Sequence, residues 1–217
     1  YQKQNINLIT VGGSFDYSKL GCSHHCYTDV SLISHLKNSK IVIPGSTKEF
    51  EVLFKKIYKK KSINYFRLPE YPHGVTFSEK EIVFGRGIKI KKGSDITIAV
   101  TGTMLKNVLK ADEILKKKGI SLEILYFHTI KPFDYNLVKK SVSKTKSLLS
   151  VEELSSHDGI YNQCLKSIVG INNVKNHQLA VHDFIHGYGS YDEICKTAGL
   201  SVNDILKNIK KLFNKKK

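Results

Sequence analysis

Short runs rich in β-branched residues alternate along this chain with longer stretches of helical periodicity. Such alternation is typical of strands that cross over through helices into a parallel sheet. It predicts strands at residues 5–11, 40–43, 63–68, 95–100, 121–127, 146–151 and 178–181. It predicts helices at residues 28–36, 47–60, 104–118, 135–143, 159–169 and 202–213. The chain is therefore expected to be an α/β protein.

The alternation breaks once, between Pro69 and Ser94, where two prolines and four glycines interrupt any regular period. Stretches of this kind are typical of boundaries between folding units. We therefore predict an incomplete α/β unit at residues 1–70, a linker or arm at residues 71–94 and a complete α/β domain at residues 95–217. Both units are expected to be three-layered, and the sheet of the second is expected to be mostly parallel.

The chain carries 35 Lys and Arg against 19 Asp and Glu, which gives a net charge of +16 over 217 residues. An excess of this size suggests binding to nucleic acid or another polyanion. However, Arg67 and Arg86 are its only arginines, and recognition of bases and phosphates depends largely on arginine. A basic binding module is therefore the weaker hypothesis, nucleic acid is not an expected partner, and the lysines are interpreted as solvated helix faces.

The composition is that of an ordinary globular protein, and no apolar run approaches the roughly 18 to 20 residues that span a bilayer. The four cysteines, at positions 22, 26, 164 and 195, are few and irregularly spaced. We expect free thiols in a cytoplasmic protein. No secretory signal is recognised before the strand at residues 5–11, and because Tyr1 is not Met, the chain is expected to be part of a longer one.

Residues that could bind a metal are concentrated in the segment Gly21-Cys22-Ser23-His24-His25-Cys26. Its two cysteines and two histidines are too close together to surround a tetrahedral zinc ion, which normally draws its ligands from two separated pairs. His182 and His186 have the spacing of a helical metal site, but they follow a strand and precede a glycine, so we interpret them as loop histidines at the surface. No metal site is predicted, and no glycine-rich phosphate loop is recognised.

Residues 11–25, followed by Thr28-Asp29-Val30, resemble the pyrimidine-binding domain of transketolases. The motif Gly21-Cys22-Ser23-His24-His25 stands where that family has Gly-Pro-Thr-His-Gln. Residues 41–45 and 65–69 resemble later strands of the same domain. In the second predicted unit, residues 95–101, 129–134, 151–153 and 198–201 resemble the transketolase C-terminal domain. The likeness covers nearly the whole chain, with motifs of two consecutive domains in the right order.

This resemblance implies the C-terminal part of a transferase that moves a two-carbon ketol unit between sugar phosphates with thiamine diphosphate and Mg²⁺. Both would be bound mainly by regions absent from this chain, in an N-terminal transketolase domain or subunit. The cofactor-activating glutamate would precede Tyr1, so the chain alone is expected to be inactive. It would act in a homodimer or a heterotetramer. A deoxyxylulose phosphate synthase and a 2-oxoacid dehydrogenase β chain are the nearest alternatives.

By the same resemblance, His24 matches the active-site histidine that stabilises the substrate oxygen or relays protons to it. An imidazole suits that role because it exchanges protons near neutral pH. His25 and Arg67 are the predicted substrate-binding residues. No cofactor-binding residue is assigned within the chain. The adjacent acids Glu152 and Glu153 are expected to be structural, because the C-terminal domain of this family carries no catalytic group.

Three positions depart from the pattern of the sugar-utilising enzymes. Leu20 replaces an aspartate that reads a sugar hydroxyl, Gly12 replaces a histidine, and Glu70 stands where many relatives have a phosphate-contacting arginine. The usual sugar-phosphate specificity is therefore in doubt. A smaller or unusual ketol donor, or a split two-subunit enzyme, becomes a reasonable expectation.

Overall fold

The computed structural model describes residues 4–157 and 159–214 of the chain. Within those ranges the strands are β1 (Ile6–Val11), β2 (Ser39–Val42), β3 (Ile63–Leu68), β4 (Ile88–Lys91), β5 (Ile96–Val100), β6 (Leu122–Tyr126), β7 (Thr129–Lys131), β8 (Ser147–Ser155) and β9 (Lys175–Val181). The helices are α1 (Asp29–Ser34), α2 (Thr47–Ile57), α3 (Met104–Lys116), α4 (Tyr135–Thr145), α5 (Ile160–Ile168), α6 (Tyr191–Thr197) and α7 (Val202–Asn214).

The strands form two sheets. The first has the order β1-β3-β2-β7, in which β3 is parallel to both β1 and β2, and β7 is antiparallel to β2. The second has the order β4-β6-β5-β8-β9, in which β4 alone is antiparallel to its neighbour. Two mostly parallel sheets with intervening helices confirm the predicted α/β fold class.

The first sheet includes a strand from beyond the predicted boundary between the units. Strand β7 lies within the predicted second domain, yet it pairs with β2, where Ile41 faces Lys131 and Val42 faces Thr129. Its three residues are too few to show an alternating pattern, so no signal for it was present in the sequence. The boundaries at residues 70 and 94 stay predictions, but the two units share this sheet.

The predicted arm contributes buried residues rather than a bare linker. His73 is buried, and its Nε2 lies 2.8 Å from Glu49 Oε1 in the first turn of α2. The other carboxylate oxygen of Glu49 accepts hydrogen bonds from the Tyr126 hydroxyl at 2.7 Å and from the Gly45 amide at 3.0 Å. Phe77 stacks on the ring of Tyr126. A polar cluster thus fastens the arm to both units.

The hydrophobic core also extends across both units. One cluster of buried side chains includes Phe66 of β3 together with Ile98 of β5. A second cluster includes Ile41 of β2 together with Leu125 of β6. Since full burial of such a side chain contributes about 1.5 to 3 kcal/mol, these contacts hold the units in a fixed arrangement.

Strand β1 forms an exposed edge of the first sheet. Within the described residues it pairs with β3 alone, and its apolar side chains face outward, with Ile6 43%, Ile9 48% and Val11 60% exposed. An apolar edge strand of this kind is surface that proteins normally cover. No helix in the described part of the chain is long and apolar enough to cross a membrane.

Candidate functional site

His24 lies on a tight double turn that follows β1. Two short 3₁₀ turns, Ser18–Leu20 and Cys22–His24, are joined by Gly21. Gly21 has a φ of +85°, which glycine adopts at little steric cost. The amide of His24 donates to the Gly21 carbonyl at 3.0 Å, and the amide of His25 donates to the Cys22 carbonyl at 3.1 Å. The two predicted histidines therefore lie on a compact turn whose backbone is fixed by these hydrogen bonds.

The base of this turn is closed by a two-residue bridge. Ser14 and Cys26 exchange backbone hydrogen bonds of 2.9 and 2.8 Å. Arg67 of β3 donates from one guanidinium nitrogen to Ser14 Oγ at 2.8 Å and to the Cys26 carbonyl at 3.1 Å. The Ser14 hydroxyl also donates to the carbonyl of Glu153 in β8. Strands of both sheets therefore hold the turn that carries His24.

The two histidines differ in their surroundings. His24 is exposed, with its Nδ1 3.1 Å from the hydroxyl of Ser23. His25 is half-buried, with its Nδ1 2.8 Å from the Tyr27 hydroxyl and 3.2 Å from the Ile185 carbonyl. Burial lowers the pKa of His25, while its hydrogen bond to Ile185 opposes that shift. The structure therefore leaves the His24 imidazole accessible to a ligand and fixes the ring of His25.

Arg67, the third predicted site residue, is 2% exposed and enclosed by protein. Its Nε donates to Asp29 at 2.8 Å, and the Tyr65 hydroxyl donates to the same carboxylate oxygen at 2.5 Å. A second nitrogen lies 3.8 Å from Glu153 Oε1. Direct contact of Arg67 with a substrate stays a prediction, since in this structure its guanidinium binds the turn and internal carboxylates.

Two buried acids beside Arg67 were not identified as site residues from the sequence. Asp16 is 2% exposed and accepts a hydrogen bond from the Glu70 amide at 2.8 Å. Burial, followed by the charge of Glu153, raises the pKa of Asp16 to about 8. Burial likewise raises the pKa of Glu153, which accepts a hydrogen bond from the Tyr191 hydroxyl. The position of Asp16 just after a strand, at the sheet edge where ligands gather in α/β folds, was the available signal.

A loop of the C-terminal unit, residues 182–189, packs against the histidine turn. The Gly189 amide donates to the Ser18 carbonyl at 3.1 Å. The ring of Phe184 meets that of Tyr27 edge-on, with centroids 5.9 Å apart. His182 and His186 are exposed on this loop, as predicted. The site is therefore built from both units, although neither loop histidine contacts His24.

Among residues 4–157 and 159–214, no group of three or more His, Cys, Asp or Glu side chains is arranged to hold a metal ion. All four cysteines are free thiols, and Cys22 and Cys26 do not pair with each other. The exposed imidazole of His24 can exchange protons and form hydrogen bonds.

The chain is similar in sequence to transketolase sections and subunits and to a related synthase. A putative transketolase C-terminal section of Methanocaldococcus jannaschii is 28% identical over 214 residues, which cover 96% of this chain and 66% of the relative. One of the subunits of an apulose-4-phosphate transketolase from Phocaeicola vulgatus is 27% identical, with coverage of 91% and 67%. A 1-deoxy-D-xylulose-5-phosphate synthase from Clostridium tetani is 25% identical, with coverage of 89% and 32%. The chain thus spans about two thirds of the length of the first two relatives, and about a third of the last.

Solved structures show the same fold. A split gene transketolase, described as an inactive beta4 tetramer, aligns with a TM-score of 0.86 at 23% identity and covers 97% of this chain and 67% of its own. A family model for the transketolase C-terminal domain matches residues 85–205. Because that match spans more than half of the chain, the resemblance seen in the sequence is confirmed, and the chain belongs to the transketolase C-terminal domain family.

Proposed function

We propose that this chain is the C-terminal portion of a thiamine-diphosphate-dependent transferase of the transketolase type. The whole enzyme would move a two-carbon ketol unit between sugar phosphates. The observation that carries the proposal is the accessible imidazole of His24 on a turn held by strands of both sheets. Curated relatives that are a transketolase C-terminal section and a transketolase subunit support the same conclusion.

The cofactor would be bound mainly outside the described residues. We assign the metal ion and the diphosphate to an N-terminal region outside this chain, as the resemblance of the sequence implies; among residues 4–157 and 159–214 no group of three or more His, Cys, Asp or Glu side chains is arranged to hold a metal ion. Thiamine diphosphate, when bound there, would supply the stabilised carbanion that ketol transfer requires. No cofactor-binding residue is assigned to this chain.

His24 would be the catalytic residue of this chain. Its exposed imidazole could hold or deliver a proton at the substrate oxygen, because an imidazole both donates and accepts protons near neutrality. His25 would contact the substrate from a ring fixed by Tyr27 and Ile185. Arg67 binds the Ser14–Cys26 bridge and would therefore hold the turn that presents His24 and His25 to the substrate. It would bind the substrate directly if the turn opens.

We propose an N-terminal transketolase domain or subunit as the partner, in a homodimer or heterotetramer within the cytoplasm. The apolar edge of β1 supports this proposal, because Ile6, Ile9 and Val11 are exposed there. In each of the two curated relatives, about a third of the length lies outside the part that matches this chain, so those proteins contain additional structure. The solved relative described as a beta4 tetramer is an example of self-assembly in that protein.

A related second function is favoured by a specific observation, the match to 1-deoxy-D-xylulose-5-phosphate synthases. The departures at Gly12, Leu20 and Glu70 also favour this second function, because they weaken the case for ordinary sugar-phosphate donors. Product analysis separates the two functions. Formation of 1-deoxy-D-xylulose 5-phosphate would identify the synthase, whereas a ketol exchange product would identify the transferase.

The test is reconstitution of this chain with its N-terminal partner, thiamine diphosphate and Mg²⁺. We expect ketol transfer by the complex and none by the isolated chain. His24→Ala should lower kcat/KM by about 10²-fold or more, as expected when a positioned acid/base group is removed. Its thermal unfolding should change little, since the side chain is exposed.

A matched control is His35→Ala, which removes another exposed histidine, located just after α1. That variant should keep kcat/KM within about threefold of the unmodified complex. A His24→Ala complex that is as active as the His35→Ala complex would contradict the catalytic role of His24.

A further inference from the structure

We propose that Tyr17 is a specificity-determining residue that hydrogen-bonds a hydroxyl group on the donor carbon chain beyond the transferred ketol unit. This inference rests on the proposed function, because it places the substrate beside His24. The predicted ligand class is a polyhydroxylated ketose. The inference follows from the way three positions share space, namely Gly12, Tyr17 and His24.

The ring of Tyr17 fills the space that a side chain at position 12 would need. A Cβ built on Gly12 would lie 2.2 Å from Tyr17 Cε2 and 3.0 Å from Cζ, the carbon that bears the hydroxyl. Gly12 also has a φ of +73°, which side-chain-bearing residues rarely adopt. The phenol therefore stands where a histidine is expected at position 12 in the sugar-utilising enzymes that the sequence resembles.

The same ring lies directly beside the candidate catalytic group. Tyr17 meets the imidazole of His24 edge-on, with centroids 6.4 Å apart and an interplanar angle of 87°. The Tyr17 carbonyl accepts a hydrogen bond of 2.8 Å from the Leu20 amide, so the backbone that positions the ring is fixed. The phenol therefore borders the side of the His24 imidazole that faces Tyr17.

The Tyr17 side chain is half-buried, so part of it is accessible to solvent. Within residues 4–157 and 159–214 we find no hydrogen-bond partner for its hydroxyl. A phenol both donates and accepts hydrogen bonds, so it matches an alcohol. With Gly12 and Leu20 lacking polar side chains, the neutral polar groups beside His24 are the phenol of Tyr17 and the hydroxyl of Ser23, and the Ser23 hydroxyl already lies 3.1 Å from His24 Nδ1. A site that hydrogen-bonds a substrate hydroxyl discriminates against analogues that lack it.

Tyr17→Phe tests the inference in the reconstituted complex, because it removes the hydroxyl and keeps the ring. Fructose 6-phosphate, a polyhydroxylated donor, is compared with hydroxypyruvate, which has no hydroxyl beyond the ketol unit. We expect kcat/KM for fructose 6-phosphate to fall about tenfold, as when one neutral hydrogen bond is lost. With hydroxypyruvate the value should stay within about threefold of that of the unmodified complex. Tyr135→Phe, on α4, is the matched control and should change neither value.

The possible outcomes distinguish failure of the role of Tyr17 from failure of the proposed function. Equal values for both donors in Tyr17→Phe and the unmodified complex would overturn the role of Tyr17 while leaving the proposed function intact. Turnover of hydroxypyruvate but of no polyhydroxylated ketose by the unmodified complex would also overturn it, because a site that binds a donor hydroxyl must accept a donor that carries one. Absence of ketol transfer from either donor would overturn the proposed function, and this inference with it.

A measurement on the chain itself tests the geometry without activity. The NMR signals of the His24 ring should shift when Tyr17→Leu removes the neighbouring aromatic ring, and should shift much less with Tyr17→Phe. Unchanged His24 signals in Tyr17→Leu would show that the two rings are not in contact, which would remove the basis of the inference.

Discussion

At the scale of single residues, the absence of a side chain at Gly12 determines what surrounds His24. The phenol of Tyr17 occupies the vacated space and touches the imidazole. The sequence identified Gly12 as a departure from the sugar-utilising pattern. It could not show the compensating position of Tyr17, because the two residues meet only through the shape of the turn.

Gly12→Ala should destabilise the chain by about 2 to 4 kcal/mol, since the new Cβ adds overpacking to an unfavourable positive φ. Gly170→Ala is the control, because Gly170 also has a positive φ, of +82°, but open space around it. That variant should cost only about 1 to 2 kcal/mol. Denaturant unfolding of both variants measures the difference.

The comparison can be repeated in a chain that lacks the Tyr17 ring, which turns it into a double-mutant cycle. In a Tyr17→Ala background, Gly12→Ala should cost no more than Gly170→Ala does, because the clash is gone. A Gly12→Ala cost that is independent of Tyr17 would contradict the packing of the ring against Gly12.

At the scale of elements, most of the strands and helices were predictable, whereas β4, β7 and α6 were not. Strand β3 begins and ends at the predicted residues, and α7 differs by one residue from its prediction. Strand β4 lies in a lysine-rich edge segment, and β7 depends on a partner in the other unit. Helix α6 begins at a capping box of Ser190 with Glu193 but has only seven residues. Tertiary pairing, rather than local pattern, decides such elements.

The candidate site was likewise predictable only in part. The position of His24 on a loop followed from the resemblance, and its exposure agrees with a site residue. The burial of Arg67 could not be predicted, because its partners Asp29 and Glu153 come from distant parts of the chain. Sequence patterns indicate residue types near a site but do not indicate which charges become neighbours.

Helix α5 is an element whose start depends on another strand. Its N-cap is Gly159, which offers no side-chain hydrogen bond. The buried carboxylate of Glu152 in β8 instead accepts from the amides of Ile160 at 2.5 Å and Tyr161 at 3.1 Å. A Cβ at position 159 would collide with that carboxylate, so glycine gives it access. The structural role expected for Glu152 is thus a specific one, the capping of α5.

Glu152→Ala should lower the free energy of unfolding by about 3 kcal/mol, because two buried amides lose their acceptor. Glu152→Gln keeps one acceptor oxygen and should cost about 1 kcal/mol. Glu113→Ala, an exposed change on α3, should stay within about 0.5 kcal/mol of the unmodified chain. Chemical denaturation compares the three, and equal losses for Glu152→Ala and Glu113→Ala would show that Glu152 does not cap the helix.

At the scale of the whole molecule, buried charges connect the two units beneath the histidine turn. One guanidinium, that of Arg67, faces the carboxylates of Asp29 and Glu153, and its charge also acts on Asp16. Glu153 belongs to β8 in the second sheet, whereas the others lie in the first unit. One positive charge does not balance three carboxylates, two of which, Asp16 and Glu153, are buried. Proton binding by Asp16 therefore relieves part of the repulsion, and the stability of the junction should depend on pH.

The direction of that dependence follows from the pKa of Asp16, which rises from an ordinary value of 3.8 to about 8 on folding. An acid of this kind binds its proton more tightly in the folded chain. Its stabilising effect is therefore complete below the ordinary pKa and is lost as the pH rises through the folded value. Glu152, whose pKa burial raises to about 7, acts in the same direction. Burial lowers the pKa of His128 from 6.5 to about 4, so the effect of this residue on stability lies mainly below pH 6.5.

Asp16→Asn should therefore weaken the loss of stability between pH 6.5 and 8.5, because the amide cannot ionise while its oxygen can still accept from the Glu70 amide. In the unmodified chain the free energy of unfolding should fall across this interval with a slope steeper by up to about 1.4 kcal/mol per pH unit, the limit for one proton. Denaturant midpoints at the two pH values measure both slopes. Glu113→Gln, which neutralises an exposed acid, should keep the slope of the unmodified chain. Parallel slopes for Asp16→Asn and the unmodified chain would show that Asp16 is ionised throughout this range, and that the junction between the units tolerates its charge.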